Sequence, residues 1–212
     1  MTTLTDAPLD CTLCPRLAEF IAEHAAKYPH WHSAPVPSFG AMNAHILVVG
    51  LAPGLKGANA TGRPFTGDYA GDLLYETLRK MGYTSGFYQK RAEDGFELHG
   101  VRITNAVRCV PPQNKPTGEE VLTCRPFLVN EIAAMQAQNL MVLLSLGKIS
   151  HDTVLKTFGL KLSAYPFKHG AVHALPNGLK LVDSYHCSRY NVNTGRLTSE
   201  MFEDVFGIIK TL

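Results

Sequence analysis

The 212-residue chain has no run of 18 apolar residues, which excludes a conventional membrane-spanning helix. Its formal net charge is only +2, so charge alone does not mark it as a nucleic-acid binder, and the placement of the basic residues has to carry that question. The first residues, MTTLTDAPLD, lack both a basic start and an apolar stretch, so no secretory leader is expected. A cytoplasmic location is the corresponding expectation. Cysteine is sparse, five in all, and in a reducing compartment cysteines favour metal binding or catalysis over disulfides. No internal repeat and no low-complexity tract is present. The absence of a G-x-x-x-x-G-K-[ST] signature rules out a P-loop.

The composition is otherwise that of a globular protein with a sizeable core, 45% hydrophobic and 18% charged. The length suits one α/β domain over residues 1–212. Four short apolar runs, His45–Leu51, Val101–Val107, Leu140–Leu146 and Lys180–Ser184, predict strands buried on both faces. Helical patterns lie around them at Arg16–Tyr28, Asp72–Met81, Glu119–Gln138 and Lys148–Phe158, and Thr198 can cap a last helix. Pro126 predicts a bend or restart in the third of these. Strands alternating with helices imply a mostly parallel sheet covered on both faces.

A polar or glycine-rich segment follows each strand: Gly50-Leu-Ala-Pro-Gly54, Arg108-Cys-Val-Pro-Pro-Gln-Asn114, Gly147-Lys148 and His186-Cys-Ser188. In open α/β sheets ligands bind beyond the carboxyl ends of the strands, so these four segments are expected to converge on one crevice. Singly, each is equally well a plain strand-to-helix turn.

Cys11 and Cys14 form a C-x-x-C pair, and Cys109 and Cys124 supply two further thiols. Four thiolates satisfy either a zinc ion or a 4Fe–4S cluster, and their spacing does not choose between them. Cys187, beside His186, has no nearby partner cysteine and is best explained as a small core residue.

Taken together, the Cys11/Cys14 pair, Gly50–Gly54, the block Gly57-Ala-Asn-Ala-Thr-Gly-Arg-Pro-Phe-Thr-Gly-Asp68, the block Ile103–Asn114, Cys124, His186-Cys-Ser188 and Asn193–Thr198 resemble the uracil-DNA glycosylase superfamily. The nearest match is its B-type branch, family 5, and the resemblance spans nearly the whole chain. It implies a three-layer sandwich around a four-stranded parallel sheet, a 4Fe–4S cluster on Cys11, Cys14, Cys109 and Cys124, and cleavage of a base–sugar bond in DNA carrying uracil or other deaminated bases. A monomer is expected. Two departures stand out. The family usually has His-Pro-Ser where this chain has His186-Cys187-Ser188, and Asn105 resembles the A-type relatives, which suggests a preference for uracil.

The resemblance places Phe65 under a flipped base and Asn105 at its edge. Gly50, Ala52, Pro53, Gly54, Ser188 and Asn191 complete the expected substrate contacts. Core packing for Phe65 and a strand-end hydrogen bond for Asn105 are the competing readings. His186 is the expected donor to the departing base. The first loop carries Leu51-Ala52 where many relatives supply a carboxylate, so Asp68, Asn59 and Asn114 are the candidates for handling water. Asp68 is equally a helix cap. Arg63, Lys115, Arg189 and Arg196 are expected phosphate contacts, against the alternative of ordinary solvated charges. No lysine stands out as a Schiff-base nucleophile, so the expected product is an abasic site in an intact strand. Competing functions are hydrolysis of small nucleosides or nucleotides, and a zinc-stabilised binding module without enzymatic activity.

Overall fold

The computed structural model describes residues 4–212. Helix α1 spans Pro15–Lys27, followed by strand β1 (Ile46–Gly50), a short α2 (Ala58–Thr61) and α3 (Tyr69–Lys80). A small hairpin, β2 (Thr84–Ser85) and β3 (Glu97–Leu98), precedes β4 (Val101–Asn105). Then come α4 (Gly118–Gln136), β5 (Val142–Leu146), α5 (Lys148–Thr157), β6 (Val172–Ala174), β7 (Lys180–Ser184), α6 (Arg189–Asn193) and α7 (Ser199–Ile209). No helix among the described residues is long and apolar enough to cross a membrane.

The main sheet runs β4-β1-β5-β7-β6. Its first four strands are mutually parallel, as the apolar runs predict. The sheet has one strand more than expected: β6 pairs antiparallel with β7 and closes that edge. Two of its three residues are exposed and they form no apolar run, so a pattern search passes over them.

The two-residue alternation of a strand sorts the core into two layers. Ile46, Val48, Val101, Ile103, Val142, Leu144 and Val182 face Leu74 and Leu78 of α3 and Phe202, Val205 and Phe206 of α7. Leu47, Val49, Leu143 and Leu181 face Leu128, Ile132 and Met135 of α4 and Val154 and Leu155 of α5. Burying one such side chain is worth about 1.5–3 kcal/mol, so both layers contribute heavily to the fold.

Pro126 does not interrupt its helix. Helix α4 is continuous over 19 residues, with Pro126 on the exposed side. Buried Cys124, Phe127, Leu128 and Glu131 hold the helix on both sides of it, and the Leu122 carbonyl that loses its N–H partner belongs to an exposed residue. The helix start is fixed by a capping box, in which Thr117 Oγ1 accepts from Glu120 N at 3.2 Å and Glu120 Oε2 accepts from Thr117 N at 2.7 Å.

Buried charge ties β4 to α4. Glu131 accepts from Arg102 Nε at 2.6 Å and from Arg108 Nη2 at 2.7 Å, and Arg108 is 1% exposed. Arg108 also donates to Thr104 Oγ1 and, at 2.6 Å, to Ser38 Oγ. The stretch from Asn105 to Cys109 is thereby anchored from below.

Candidate active site

Beyond the carboxyl ends of β1, β4 and β7 lies an open crevice of about 820 Å³, within the range of small-ligand sites. Leu51–Gly57, Phe65, Gly67–Ala70, Asn105, Asn114, His186, Ser188 and Arg189 line it. Three of the four strand-end segments therefore meet there; Gly147-Lys148 does not reach it.

Its floor is Phe65. Arg63 O accepts from Thr66 N at 3.2 Å, so Arg63–Thr66 form a β-turn with Pro64 second and Phe65 third. Phe65 has φ +53°, a left-handed conformation that is rare for a bulky residue and usual for glycine at this position. Gly50, at the end of β1, leaves the room that the ring needs. A methyl at Gly50 would lie 2.7 Å from Phe65 Cζ and closer still to Asn105 Oδ1. Asn105 is 3% exposed, and its amide faces the crevice without a protein hydrogen bond among the described residues.

Across from the floor stands His186, its ring centroid 6.2 Å from that of Phe65 and tilted 32°. Burial lowers its pKa, opposed by the nearby Asp68 carboxylate, so the ring is neutral at neutral pH and offers a single N–H. Asn191 does not enter the crevice lining; its Nδ2 donates to His186 O at 2.8 Å and fixes the loop. Ser188 lines the crevice and also caps α6, accepting from Asn191 N at 3.4 Å. Cys187 is fully buried among Val182, Leu197 and Phe202. Burial pushes its thiol far above the ordinary range, which leaves it a core residue and no nucleophile.

Asp68 caps a helix and also lines the crevice. Oδ1 accepts from Gly71 N at 2.9 Å and caps α3, which starts three residues earlier than its apolar pattern suggests. Oδ2 points at the first loop, where a methyl on Gly54 would approach it at 3.1 Å. Asn114 reaches the crevice from a turn in which Gln113 (φ +55°) and Asn114 (φ +57°) are both left-handed. Asn59 is 0% exposed, lies outside the crevice lining, and neither of its amide atoms has a hydrogen-bond partner.

Of the expected phosphate contacts, Arg189 lies on the crevice lip, its guanidinium 5.4 Å from the Tyr69 ring. Arg196 is exposed over Tyr185 at 4.6 Å, and Lys115 is exposed outside the lining. Lys56, which was not among the expected contacts, is an exposed cation on the lip. Arg63 is corrected outright. It is 3% exposed and forks onto Asp94 through two 2.8 Å bonds, so it is closed to a phosphate. Its charged partner, Asp94, lies 31 residues away in the chain.

Burial alone would raise the Asp94 carboxyl, but the Arg63 fork and the Gln89 and Phe96 N–H groups hold it at about 2. The pair therefore stabilises the fold fully above the unfolded carboxyl value of about 3.9 and less as pH falls toward about 2. Asp94→Asn should flatten the melting-temperature profile between pH 4 and pH 2. A difference profile against the unaltered protein isolates this effect from other carboxylates.

On the far side of Val107 the four cysteines Cys11, Cys14, Cys109 and Cys124 line one small chamber with Leu13, Leu17 and Phe127. Arg16, two residues past Cys14, forks onto Glu120 of α4 through two 2.7 Å bonds, which brings the C-x-x-C segment to Cys124. The N–H of Arg108 donates to Cys124 Sγ at 3.4 Å. Burial and mutual repulsion push the Cys14 and Cys109 thiols up to about 11 and about 12, so four thiolates here require a cationic partner.

Another potential ligand group, His151, His173 and Asp183, is saturated by hydrogen bonds. His151 Nδ1 meets Asp183 Oδ1 at 2.7 Å and Nε2 meets Tyr165 O at 2.8 Å. Both partners are acceptors, so both ring nitrogens carry protons. No lone pair is then free on this ring for a metal.

Fold and crevice define an α/β protein with an aromatic ring and a histidine facing one open cleft at the strand ends. A family model, the uracil DNA glycosylase superfamily, matches residues 37–210, and the chain belongs to that superfamily. It is 45% identical to a type-5 uracil-DNA glycosylase of Thermus thermophilus, over 95% of this chain and 93% of that one. It is 40% identical to a type-5 enzyme of Mycobacterium leprae, over 95% and 91%. A type-4 uracil-DNA glycosylase of Pyrobaculum aerophilum is 36% identical over 58% of this chain and 55% of its own.

Proposed function

We propose that this protein removes uracil from DNA by hydrolysing the bond between the base and deoxyribose C1′. The observation that carries this reading is the convergence of the Phe65 ring, the unpartnered Asn105 amide and the neutral His186 in one crevice. A base inside a duplex cannot reach such a floor, so the nucleotide must leave the stack, at a cost of a few kcal/mol. Phe65 then takes one face of the base. Asn105, with an acceptor and a donor on one amide, matches the N3–H and O4 edge of uracil.

As the C1′–N1 bond breaks, the electron pair goes to the base and positive charge builds on the sugar. The single N–H of His186 stabilises the uracil anion. Water adds its oxygen to C1′, one proton ends on uracil, and the strand keeps an abasic sugar. Asp68 Oδ2, free of its capping duty, balances the sugar cation and orients water, with Asn114 at the rim. Arg189 and Lys56 on the lip hold phosphates, with Arg196 and Lys115 further out. Release from duplexes carrying uracil, hypoxanthine and xanthine, compared with dUMP, tests this. Fast release from the uracil duplex and little from dUMP is expected; the reverse order would make the protein a nucleotide hydrolase.

The four-cysteine chamber is read as the seat of a 4Fe–4S cluster. Sulfurs on a single tetrahedral zinc stand about 3.8 Å apart. Among the described residues, the one group of three ligand atoms within 4.8 Å of each other is His151, His173 and Asp183, so the thiols are spread more widely than a single zinc requires. When bound, the cluster supplies a cationic core that holds the four thiolates together. Held by these four cysteines, it would fasten α1 to the end of β4 and to α4; none of the four lines the crevice, though Ala52 and Leu55 of the first loop pack against the same apolar cluster. The purified protein should be brown, with broad absorbance near ~400 nm. Cys109→Ser should lose that colour and lower the melting temperature; a colourless protein carrying one zinc would overturn the assignment.

A further inference from the structure

The segment between β2 and β3, residues 86–96, reaches the turn that carries Phe65 through Asp94 and Tyr88. Asp94 grips the first residue of that turn through the two Arg63 bonds. Arg63 Nε in turn donates to Thr66 Oγ1 at 2.8 Å and staples the first residue of the turn to its last. The guanidinium lies within 6 Å of the ring centroids of Phe39, Tyr75, Tyr88 and Phe96, so water cannot compete for the fork.

Tyr88, from the same segment, holds the other end. Its hydroxyl accepts from Gly67 N at 3.2 Å and donates to Phe65 O at 3.5 Å. Tyr75 OH donates to Pro64 O at 2.5 Å. From behind, the first turn of α3 presses so closely that a methyl on Gly71 would collide with the Phe65 carbonyl oxygen. A non-glycine residue at positive φ costs about 1–3 kcal/mol and persists only where its surroundings over-determine it. Beyond the turn itself, its polar ties run to Thr61, Tyr75, Tyr88, Ala92 and Asp94, none of which lines the crevice.

We propose that Asp94 and Tyr88, acting through Arg63 and the Gly67 and Phe65 backbone, are positioning residues that hold the Phe65 ring at the height at which it receives a flipped base. The proposal rests on the reading of Phe65 as the base platform. It assigns a role in the reaction to a hairpin loop that contributes no side chain to the crevice lining.

The test is a double-mutant cycle with two readouts. Asp94→Asn and Tyr88→Phe are each made in the intact chain and in Phe65→Ala. In the intact chain, each should lower single-turnover uracil release about 10–100-fold at saturating duplex, the loss expected for a misplacement near 1 Å. Duplex Kd should stay within about twofold. In the Phe65→Ala background the same changes should cost less than about threefold. Equal losses in both backgrounds, or no loss in the intact chain, would overturn the proposal. Tyr88→Phe removes one hydroxyl and decides the matter if Asp94→Asn does not fold. Amide hydrogen exchange supplies the second readout: exchange at residues 65–67 should rise in both variants while β1 and β5 stay protected. That result is independent of catalysis, so an unaltered protein that releases no uracil would defeat the functional reading and leave the clamp to stand or fall on exchange.

Discussion

His186→Ala should lower uracil release about 10²–10³-fold under single-turnover conditions while leaving duplex affinity nearly unchanged. The size follows from removing one preorganised donor to a developing anion, worth about 2.7–4 kcal/mol. The split between rate and affinity follows from the geometry. His186 lines the crevice beside Phe65, their ring centroids 6.2 Å apart, whereas Lys56 and Arg189 are exposed cations on its lip. The pH dependence adds a second check. Burial lowers the His186 pKa, so the neutral ring is the resting form, and its contribution should persist unchanged as pH rises above neutrality. His186→Gln, which retains an N–H donor, should recover part of the loss. A His186→Ala protein with unchanged rate would remove the histidine from the chemistry.

Gly50→Ala should have an effect of similar scale by a different route. The added methyl would sit 2.7 Å from Phe65 Cζ and would crowd Asn105 Oδ1 as well, so the platform and the edge reader must both move. A displacement of this kind costs about 10²-fold in rate. The fold should lose only about 1–3 kcal/mol, the usual cost of one overpacked methylene, because β1 keeps its pairing to β4 and β5. Activity should therefore fall well before the melting curve shows serious damage. A Gly50→Ala protein with full activity would show that the base does not rest between Phe65 and Asn105.

The parts of this site that are legible in the chain are those carried by local pattern. Ile46–Gly50, Val101–Asn105, Val142–Leu146 and Lys180–Ser184 are short apolar runs, and the loops after three of them line the crevice. What escapes is long-range pairing of charge. Arg63 looks like a free cation because its partner, Asp94, comes 31 residues later in a stretch with no periodicity. Asn191 looks like a polar contact for substrate and instead holds the His186 loop by its amide. Pro126 carries the ordinary signal of a helix break, yet tertiary packing of Cys124, Phe127 and Leu128 overrides it. Family resemblance, and not spacing, is what points the four cysteines toward iron and sulfur.

The central claim is tested most directly by the products formed from a duplex containing one uracil. Incubation with the unaltered protein should yield one equivalent of free uracil and a strand that stays intact until hot alkali cuts it at the abasic site. Recovery of the duplex with uracil still attached, or of a strand cleaved without alkali and trapped on the protein by borohydride, would contradict the account.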